Sequence, residues 1–230
     1  MNDFEFDALK QASNYRAALI REFAPCLKGA VTEIGAGVGQ MTTELLNVPN
    51  ISCLLSIEPD VAFCEKNRAM NPGVSVLTGT INDVERGSVW DAIFSINVLE
   101  HIEDDAQELA QYAELLREKR GALCLLVPAR PEIYAPIDKD FGHHRRYTKK
   151  DLRERLIRAG FTVERLDYFN AVGYFAWWWN FCVLKKRVFE PGKVRLFDKV
   201  IFPVSHFWES KIMRPCIWQN LLVVARSCLR

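Results

Sequence analysis

Seven short, mostly apolar runs recur along the chain, and stretches with helical character separate them. Near-continuous apolar runs of this length are typical of strands that are buried on both faces of a parallel sheet. Their alternation with helices predicts an α/β fold, a doubly wound and mostly parallel seven-stranded sheet with helices on both faces. The predicted strands cover 31–34, 51–57, 74–78, 90–96, 121–127, 161–167 and 220–225.

The first predicted strand ends in an acid, and glycines follow at alternate positions: Glu33, then Gly35, Gly37 and Gly39. Glycine tolerates positive φ and lets the backbone lie close against a ligand, and a helix starting near Gly39 would point free N–H groups at the turn. A dinucleotide fingerprint requires glycine where this chain has Gln40. The E-x-G-x-G-x-G pattern instead resembles the first motif of the class I, Rossmann-like methyltransferases that use S-adenosylmethionine.

Two further motifs carry the same resemblance. The second strand ends at Glu58, nineteen residues beyond Gly39, where a carboxylate can accept both hydroxyls of a ribose. The fourth strand opens on Asp91 and runs into Asn97-Val-Leu-Glu-His-Ile102, which is similar to the family's fourth motif. For His101 in that loop, a buried and hydrogen-bonded role is favoured over a role as base.

The resemblance implies S-adenosylmethionine as the cofactor and a seventh strand that enters antiparallel between the fifth and the sixth. In the family an aspartate often follows the third strand and covers the adenine, whereas this chain has Thr80, so Thr80 or a backbone N–H group would supply that contact. The implied cofactor-binding residues are Tyr15, Glu33, Gly35, Ala36, Gly37, Gln40, Glu58, Pro59, Thr80, Ile81, Asn97 and Val98.

Residues 1–28 are predicted to form a leading helix that covers the cofactor, as the resemblance implies. Tyr15 would contact the methionine carboxylate or close the pocket, and a tyrosine that faces the core is the alternative. The apolar residues that recur at helical steps are Phe4, Ala8, Ala12, Tyr15, Leu19 and Phe23.

The segment Gly142-His-His-Arg-Arg-Tyr147 follows the fifth strand and resembles a GHxRRY signature of one group of small-molecule methyltransferases. The predicted catalytic residues are His143, Arg146 and Tyr147, with His143 as base because histidine titrates near neutral pH. Arg145 and Arg146 could instead clamp an anionic methyl acceptor. A third interpretation is structural: the imidazole and the guanidiniums pin the loop to carboxylates such as Asp138. Thr148 and Gly160 are predicted to cap the helix that follows.

Composition and charge narrow the function classes. With 230 residues, 49% of them hydrophobic, residues 1–230 are predicted to form a single methyltransferase domain. Residues 1–137 hold eleven basic and twenty acidic residues, whereas residues 138–230 hold nineteen and nine. No nucleic-acid-binding module accompanies the basic part, so no nucleic acid is expected as a partner.

The seven scattered cysteines and the polar N-terminus favour a cytoplasmic protein. The four histidines lack metal-ligand spacing, so no metal is expected.

Residues 169–218 form an unusually long connection, predicted as a helical aromatic insertion that caps the methyl acceptor. Its apolar run from Ala171 to Leu184 is too short to cross a bilayer. Three interpretations stay open: a lid over the acceptor, a peripheral membrane contact with the basic residues near anionic headgroups, or a dimer contact. The oligomeric state is therefore not predicted. Pro191-Gly192 is expected to divide the insertion, with a second helix from near Val194.

Together these features predict methyl transfer from S-adenosylmethionine to a small or lipid-like acceptor, which is anionic if the arginines clamp it, with O-methylation favoured over N- or C-methylation. A catalytically silent cofactor-binding or membrane-docking protein is the main alternative. A nucleotide-dependent oxidoreductase is a weaker one, because Gln40 replaces the required glycine.

Overall fold

The computed structural model describes residues 10–85, 87–211 and 218–228. Its strands are β1 (Gly29–Ile34), β2 (Ile51–Glu58), β3 (Ser75–Thr78), β4 (Ala92–Ile96), β5 (Ala122–Pro128), β6 (Phe161–Phe169) and β7 (Asn220–Ser227). They form one sheet in the order β3-β2-β1-β4-β5-β7-β6. Only β7 runs antiparallel to its neighbours β5 and β6. The predicted seven-stranded fold and the place of the last strand are confirmed.

Helices cover both faces of this sheet. The helices before the insertion are α1 (Ser13–Phe23), α2 (Gln40–Leu45), α3 (Val61–Met70), α4 (Asp105–Leu116), α5 (Pro136–Asp140) and α6 (Lys149–Arg158). Thr148 caps α6 by accepting a hydrogen bond from the Asp151 N–H group, and Gly160 follows with φ of +96°. Both predicted caps of this helix are confirmed.

Strand β5 lies at the centre of the buried core and separates two apolar layers. Leu123, Leu125 and Val127 pack on one face with apolar residues of α4 and α6. Cys124 and Leu126 point to the other face and pack with apolar residues of α1. Because strand residues alternate between faces, a continuous apolar run serves both layers.

The leading helix is shorter in the described residues than the sequence pattern predicts, because α1 begins at Ser13. Phe4 and Ala8 lie outside the described residues. Ala18, Leu19 and Phe23 are buried against the sheet, as their spacing predicts.

The insertion forms two helical stretches. The first is α7 (Ala171–Trp177) with a π-helical continuation, Trp178–Val183, and the second runs through α8 (Pro191–Leu196), the π-helical Phe197–Ile201 and α9 (Phe202–Lys211). The predicted division of the insertion into two helices is confirmed, but the second helix begins at Pro191 and not near Val194. A proline fits at the first helical position because the N–H group that it lacks would have no intrahelical partner there.

The second stretch of the insertion holds the start of α1. The buried carboxylate of Asp198 accepts hydrogen bonds from the backbone N–H groups of Asn14 at 3.0 Å and Tyr15 at 2.9 Å. The first N–H groups of a helix have no intrahelical partner, so this contact satisfies them from a distant part of the chain. The insertion therefore helps to position the segment predicted to cover the cofactor.

Within the described ranges, no helix is both long and apolar enough to cross a membrane.

Candidate active site

The glycine turn after β1 has the backbone that the motif predicts. Gly35, Gly37 and Gly39 have φ values of +71°, +53° and +91°, a region that glycine adopts without steric cost. A Cβ atom on Gly35 would lie 2.3 Å from Cγ2 of Val98. The turn is therefore packed directly on the loop that follows β4.

Glu58 lies at the end of β2, next to this turn. Its carboxylate accepts hydrogen bonds from the N–H groups of Gly37 at 2.8 Å and Asp60 at 3.0 Å. Burial raises the pKa of this carboxyl group, and the two N–H groups oppose that shift. A carboxylate offers about four lone-pair positions, so positions remain for hydroxyl donors.

Glu33 is buried behind the turn. Its carboxyl oxygen accepts hydrogen bonds from the hydroxyls of Thr42 at 2.6 Å and Ser56 at 2.8 Å. Burial raises the pKa of Glu33 to about 7, against the effect of these two hydrogen bonds. Its described contacts join β1, α2 and β2, so it supports the glycine turn from below.

The other predicted cofactor residues lie around the same edge of the sheet. The Ala36 N–H group donates to the Ile57 carbonyl, and Gln40 begins α2 and accepts a bond from Arg16. Pro59 is exposed, and Ile81 is buried in the core. Thr80 caps the short 3₁₀ helix Ile81–Asp83 and pairs with the Asp83 carboxylate.

Tyr15 occupies the core-facing position that the sequence left open as an alternative. Its ring packs on Phe169 and Phe202, with centroids 5.4 Å and 5.3 Å away. Its hydroxyl accepts a hydrogen bond from Asn220 at 2.9 Å. The cofactor contact of Tyr15 stays a prediction.

The loop after β4 brings a carboxylate and a histidine to this edge. Asn97 has φ of +53°, and its N–H group donates to the Leu126 carbonyl. The 3₁₀ helix Leu99–His101 follows, with Glu100 fully buried. Burial, and then the neighbouring His143, lower the pKa of His101 to about 4.

The GHxRRY segment folds back onto that loop. The rings of His101 and His143 lie edge to face with centroids 4.6 Å apart. Nδ1 of His143 is 2.9 Å from a carboxyl oxygen of Asp138, and Nε2 is 4.0 Å from Oε1 of Glu100. The GHxRRY segment and the loop after β4 are thus in contact through His101, His143 and Glu100.

Arg146 shares Asp138 with His143. Its guanidinium lies 2.8 Å from the same carboxyl oxygen and stacks over the Trp177 ring at 4.5 Å. Burial raises the pKa of Asp138, but the bond from His143 and the charge of Arg146 outweigh it and hold that pKa below its usual value. This geometry matches the structural interpretation of the motif.

Tyr147 is fully buried, and its hydroxyl donates to Asp105 at 2.8 Å. Arg145 and Arg155 pair with the same carboxylate at 2.8 Å and 2.6 Å. Arg145 is thus engaged within the chain. The catalytic assignment of Tyr147 stays a prediction, and its geometry favours a structural role.

The insertion packs on the segment that precedes the GHxRRY motif. Trp177 and Phe181 form a small buried cluster with Ile133, Ala135 and Ile137. The Trp177 indole N–H group donates to the Ile133 carbonyl at 3.2 Å. The inner face of α7 is thus joined to the loop that carries His143.

The profile of the methyltransferase domain family matches residues 9–166. The chain belongs to this family. No curated protein sequence matches the chain.

Solved structures share the fold of this methyltransferase at low identity. An S-adenosylmethionine-dependent methyltransferase from Mesorhizobium loti is 17% identical, with a TM-score of 0.62 over 93% of this chain and 98% of that one. The [4+2]-cyclase SpnF is 15% identical, with a TM-score of 0.63 over 96% and 83%. A mycolic acid cyclopropane synthase complexed with SAH and CTAB is 14% identical, with a TM-score of 0.61 over 95% and 85%.

Family membership establishes S-adenosylmethionine as the cofactor and removes the nucleotide-dependent oxidoreductase as an interpretation of the glycine turn. The fold by itself does not fix the reaction, since a cyclase shares it with methyltransferases.

Sequence reasoning missed the roles of Asp105 and Glu100 in this methyltransferase. Both residues are buried, at 2% and 0% exposure. Acids are rarely buried without a specific partner, but their partners lie about forty residues further along the chain. Only the fold reveals those contacts.

Proposed function

We propose that this methyltransferase transfers a methyl group from S-adenosylmethionine to an oxygen atom of a small or lipid-like acceptor. The observation that carries the proposal is the loop after β4, whose Val98 packs on Gly35 and whose His101 contacts His143 of the GHxRRY segment. These contacts support an acceptor side next to the cofactor turn, at the carboxyl edge of the sheet where ligands bind in open α/β sheets.

The residues of the turn suit the cofactor. The hydrogen at Gly35 leaves the backbone open where a side chain would collide with Val98, and Glu58 keeps lone pairs for ribose hydroxyls. When bound, the cofactor would supply an electrophilic methyl group on its sulfonium sulfur, for transfer to the acceptor oxygen. The protein has to align the acceptor, and such orientation can lower a barrier by ~7–11 kcal/mol.

The surroundings of the three predicted catalytic residues indicate two different roles. Arg146 and Tyr147 are buried and bonded to Asp138 and Asp105, so we assign them to positioning the loop. His143 is held by Asp138 through Nδ1 and directs Nε2 toward Glu100. We assign His143 to activation of the acceptor.

Two observations support a lipid-like rather than an anionic acceptor. Arg145 and Arg146 are paired with Asp105 and Asp138, so a guanidinium clamp for an anion has no support in the structure. The insertion packs apolar side chains on the loop that carries His143 and exposes other large apolar side chains, among them Trp178 and Trp179. A lid with both properties suits an acceptor taken from a membrane surface.

The first test measures binding of S-adenosylhomocysteine by calorimetry. Gly35→Ala should weaken binding at least tenfold, because positive φ costs an L-residue about 1–2 kcal/mol and the added methyl overlaps Val98. Gly73→Ala is the matched control, since Gly73 has φ of +92° with nothing within 4 Å of its Cβ position. Equal binding by wild type and Gly35→Ala would place the cofactor elsewhere.

The second test asks whether a methyl group moves. Wild-type protein is incubated with S-adenosylmethionine labelled in its methyl group and an extract of membrane lipids, and labelled products are identified by mass spectrometry. We expect a lipid whose mass rises by one CH₂ unit and whose oxygen carries the label. Binding of the cofactor without label in any lipid would reject the lipid-like acceptor.

A further inference from the structure

Three potential metal ligands converge at the acceptor side. One ligand atom each from Glu100, His101 and His143 lies within 4.8 Å of the others, the one such cluster of three in the described part of the chain. Ligands about 2.0–2.2 Å from a shared ion lie roughly 3–3.5 Å apart. A closing movement of about 1 Å would therefore complete a site.

Both histidines present the same ring nitrogen to the cluster. Nδ1 of His143 is fixed by the Asp138 carboxylate, which leaves Nε2 facing Glu100. Nε2 of His101 is buried and has no hydrogen-bond partner among the described residues, so this nitrogen is the one available to an ion. Metal-binding histidines typically hold their other N–H group on a carboxylate or carbonyl, as His143 does on Asp138.

The backbone reinforces the cluster. The N–H group of His144 donates to the Glu100 carbonyl at 2.8 Å, and that of His143 donates to the Asp138 carbonyl at 2.9 Å. The loop after β4 and the GHxRRY segment are thus tied together beside the three ligand atoms. A site assembled from both motifs would require this tie.

We propose that Glu100, His101 and His143 bind a divalent first-row transition metal ion at the acceptor side of the active site. Two imidazoles and one carboxylate suit such an ion better than Mg²⁺ or Ca²⁺, which prefer oxygen ligands. Three protein ligands leave a coordination position open for another oxygen.

This inference rests on the proposed function and specifies how His143 activates the acceptor. The open position takes the acceptor hydroxyl, whose proton passes to solvent because the cation lowers its pKa. The resulting oxygen attacks the methyl carbon, the carbon–sulfur bond breaks with its electron pair going to sulfur, and the neutral thioether leaves. His143 is then a ligand and not the base.

The test uses the full-length protein without a histidine tag, dialysed against chelator. Co²⁺ is titrated while visible absorption is recorded, and Zn²⁺ is titrated by calorimetry. We expect one equivalent of either ion and a cobalt spectrum without thiolate charge-transfer bands, since the ligands are nitrogen and oxygen. His144→Ala is the matched control, because His144 is exposed and outside the cluster.

We expect weaker metal binding from each of three ligand variants, His101→Ala, His143→Ala and Glu100→Gln. The loss should exceed the ~10–100-fold that removal of an outer-shell partner causes. The control His144→Ala should bind metal like wild type. His101→Asn and His143→Asn serve if an alanine variant loses its circular dichroism spectrum. Unchanged affinity in the histidine variants would overturn the proposal, as would weak binding of several equivalents that none of the changes affects. S-adenosylhomocysteine binding by metal-free protein is measured separately, so failure of the cofactor pocket is distinguishable from failure of the metal site.

Discussion

Glu33 shows how one buried side chain can make the free energy of unfolding depend on pH. Burial raises its pKa from 4.5 to about 7. The unfolded chain releases this proton near pH 4.5, while the folded protein keeps it until about pH 7. The stabilisation is therefore fully present below pH 4.5 and is lost as pH rises toward 7.

We predict that wild type loses about 3 kcal/mol of unfolding free energy between pH 4.5 and 7.5 relative to Glu33→Gln, because each unit of pKa shift corresponds to ~1.4 kcal/mol. Urea unfolding of both proteins across this range measures the difference. Glu65→Gln, a change at an exposed position, should follow wild type. Parallel curves for wild type and Glu33→Gln would mean that the folded protein holds Glu33 ionised.

For single residues, the E-x-G-x-G-x-G motif predicted the position of Glu33 but not its contacts. The spacing to Gly35 places the acid at the end of β1. Its hydroxyl partners Thr42 and Ser56 lie on α2 and β2, and no local pattern identifies them. The position of Glu58 was easier to predict. Because β2 lies next to β1 and runs parallel to it, a carboxylate at the end of β2 lies beside the glycine turn.

The elements of the insertion combine an inner and an outer apolar surface. Trp177 and Phe181 are buried on the loop before the GHxRRY segment. Trp178 and Trp179 stay 44% and 53% exposed, which a helix explains, since neighbouring residues point in different directions. An amphipathic sequence pattern could not distinguish these faces, because the insertion is apolar on both.

The basic residues of the insertion contribute less to headgroup binding than the sequence suggests. Lys186 pairs with Glu190 at 2.7 Å, and Arg187 pairs with Asp140 at 3.0 Å. Lys185 and Arg187 are both exposed, and Lys185 has a left-handed backbone conformation. We therefore expect apolar contact to dominate the proposed binding to a membrane surface.

The double variant Trp178→Ser/Trp179→Ser should bind vesicles roughly tenfold more weakly or worse than wild type, because a buried aromatic side chain contributes about 1.5–3 kcal/mol. Flotation with vesicles of neutral and of anionic phospholipid measures this binding. Ile157→Ser is the control, since Ile157 is equally exposed, at 53%, but lies on α6. Flotation of both variants to the same extent as wild type would exclude the insertion as the contact.

For the whole molecule, the sequence predicted the sheet and its covering helices because both follow from apolar runs that a buried parallel sheet requires. The contacts that join distant segments were not predictable. Asp198 on the insertion caps α1 across more than 180 residues of sequence, and Asp138 joins His143 and Arg146. These contacts depend on tertiary geometry that single-sequence patterns do not contain.

Asp105 links the acidic first part of the chain to the basic second part. Its carboxylate, 3% exposed, pairs with Arg145 and Arg155 and accepts the hydroxyl of Tyr147. Removing its charge leaves both guanidiniums and the buried hydroxyl without their shared partner. Loss of one member of a buried pair costs ~3–5 kcal/mol.

For Asp105→Asn we predict a smaller loss of unfolding free energy, about 2–3 kcal/mol, because the guanidiniums are 25% and 31% exposed and water can solvate them in part. Asp151→Asn is the matched control, since Asp151 also pairs with Arg155 but is 46% exposed, and it should cost less than about 1 kcal/mol. Urea unfolding at pH 7 measures both. If the two variants lose the same stability, burial does not determine the strength of this link, and the junction between the two parts of the chain depends on apolar packing instead.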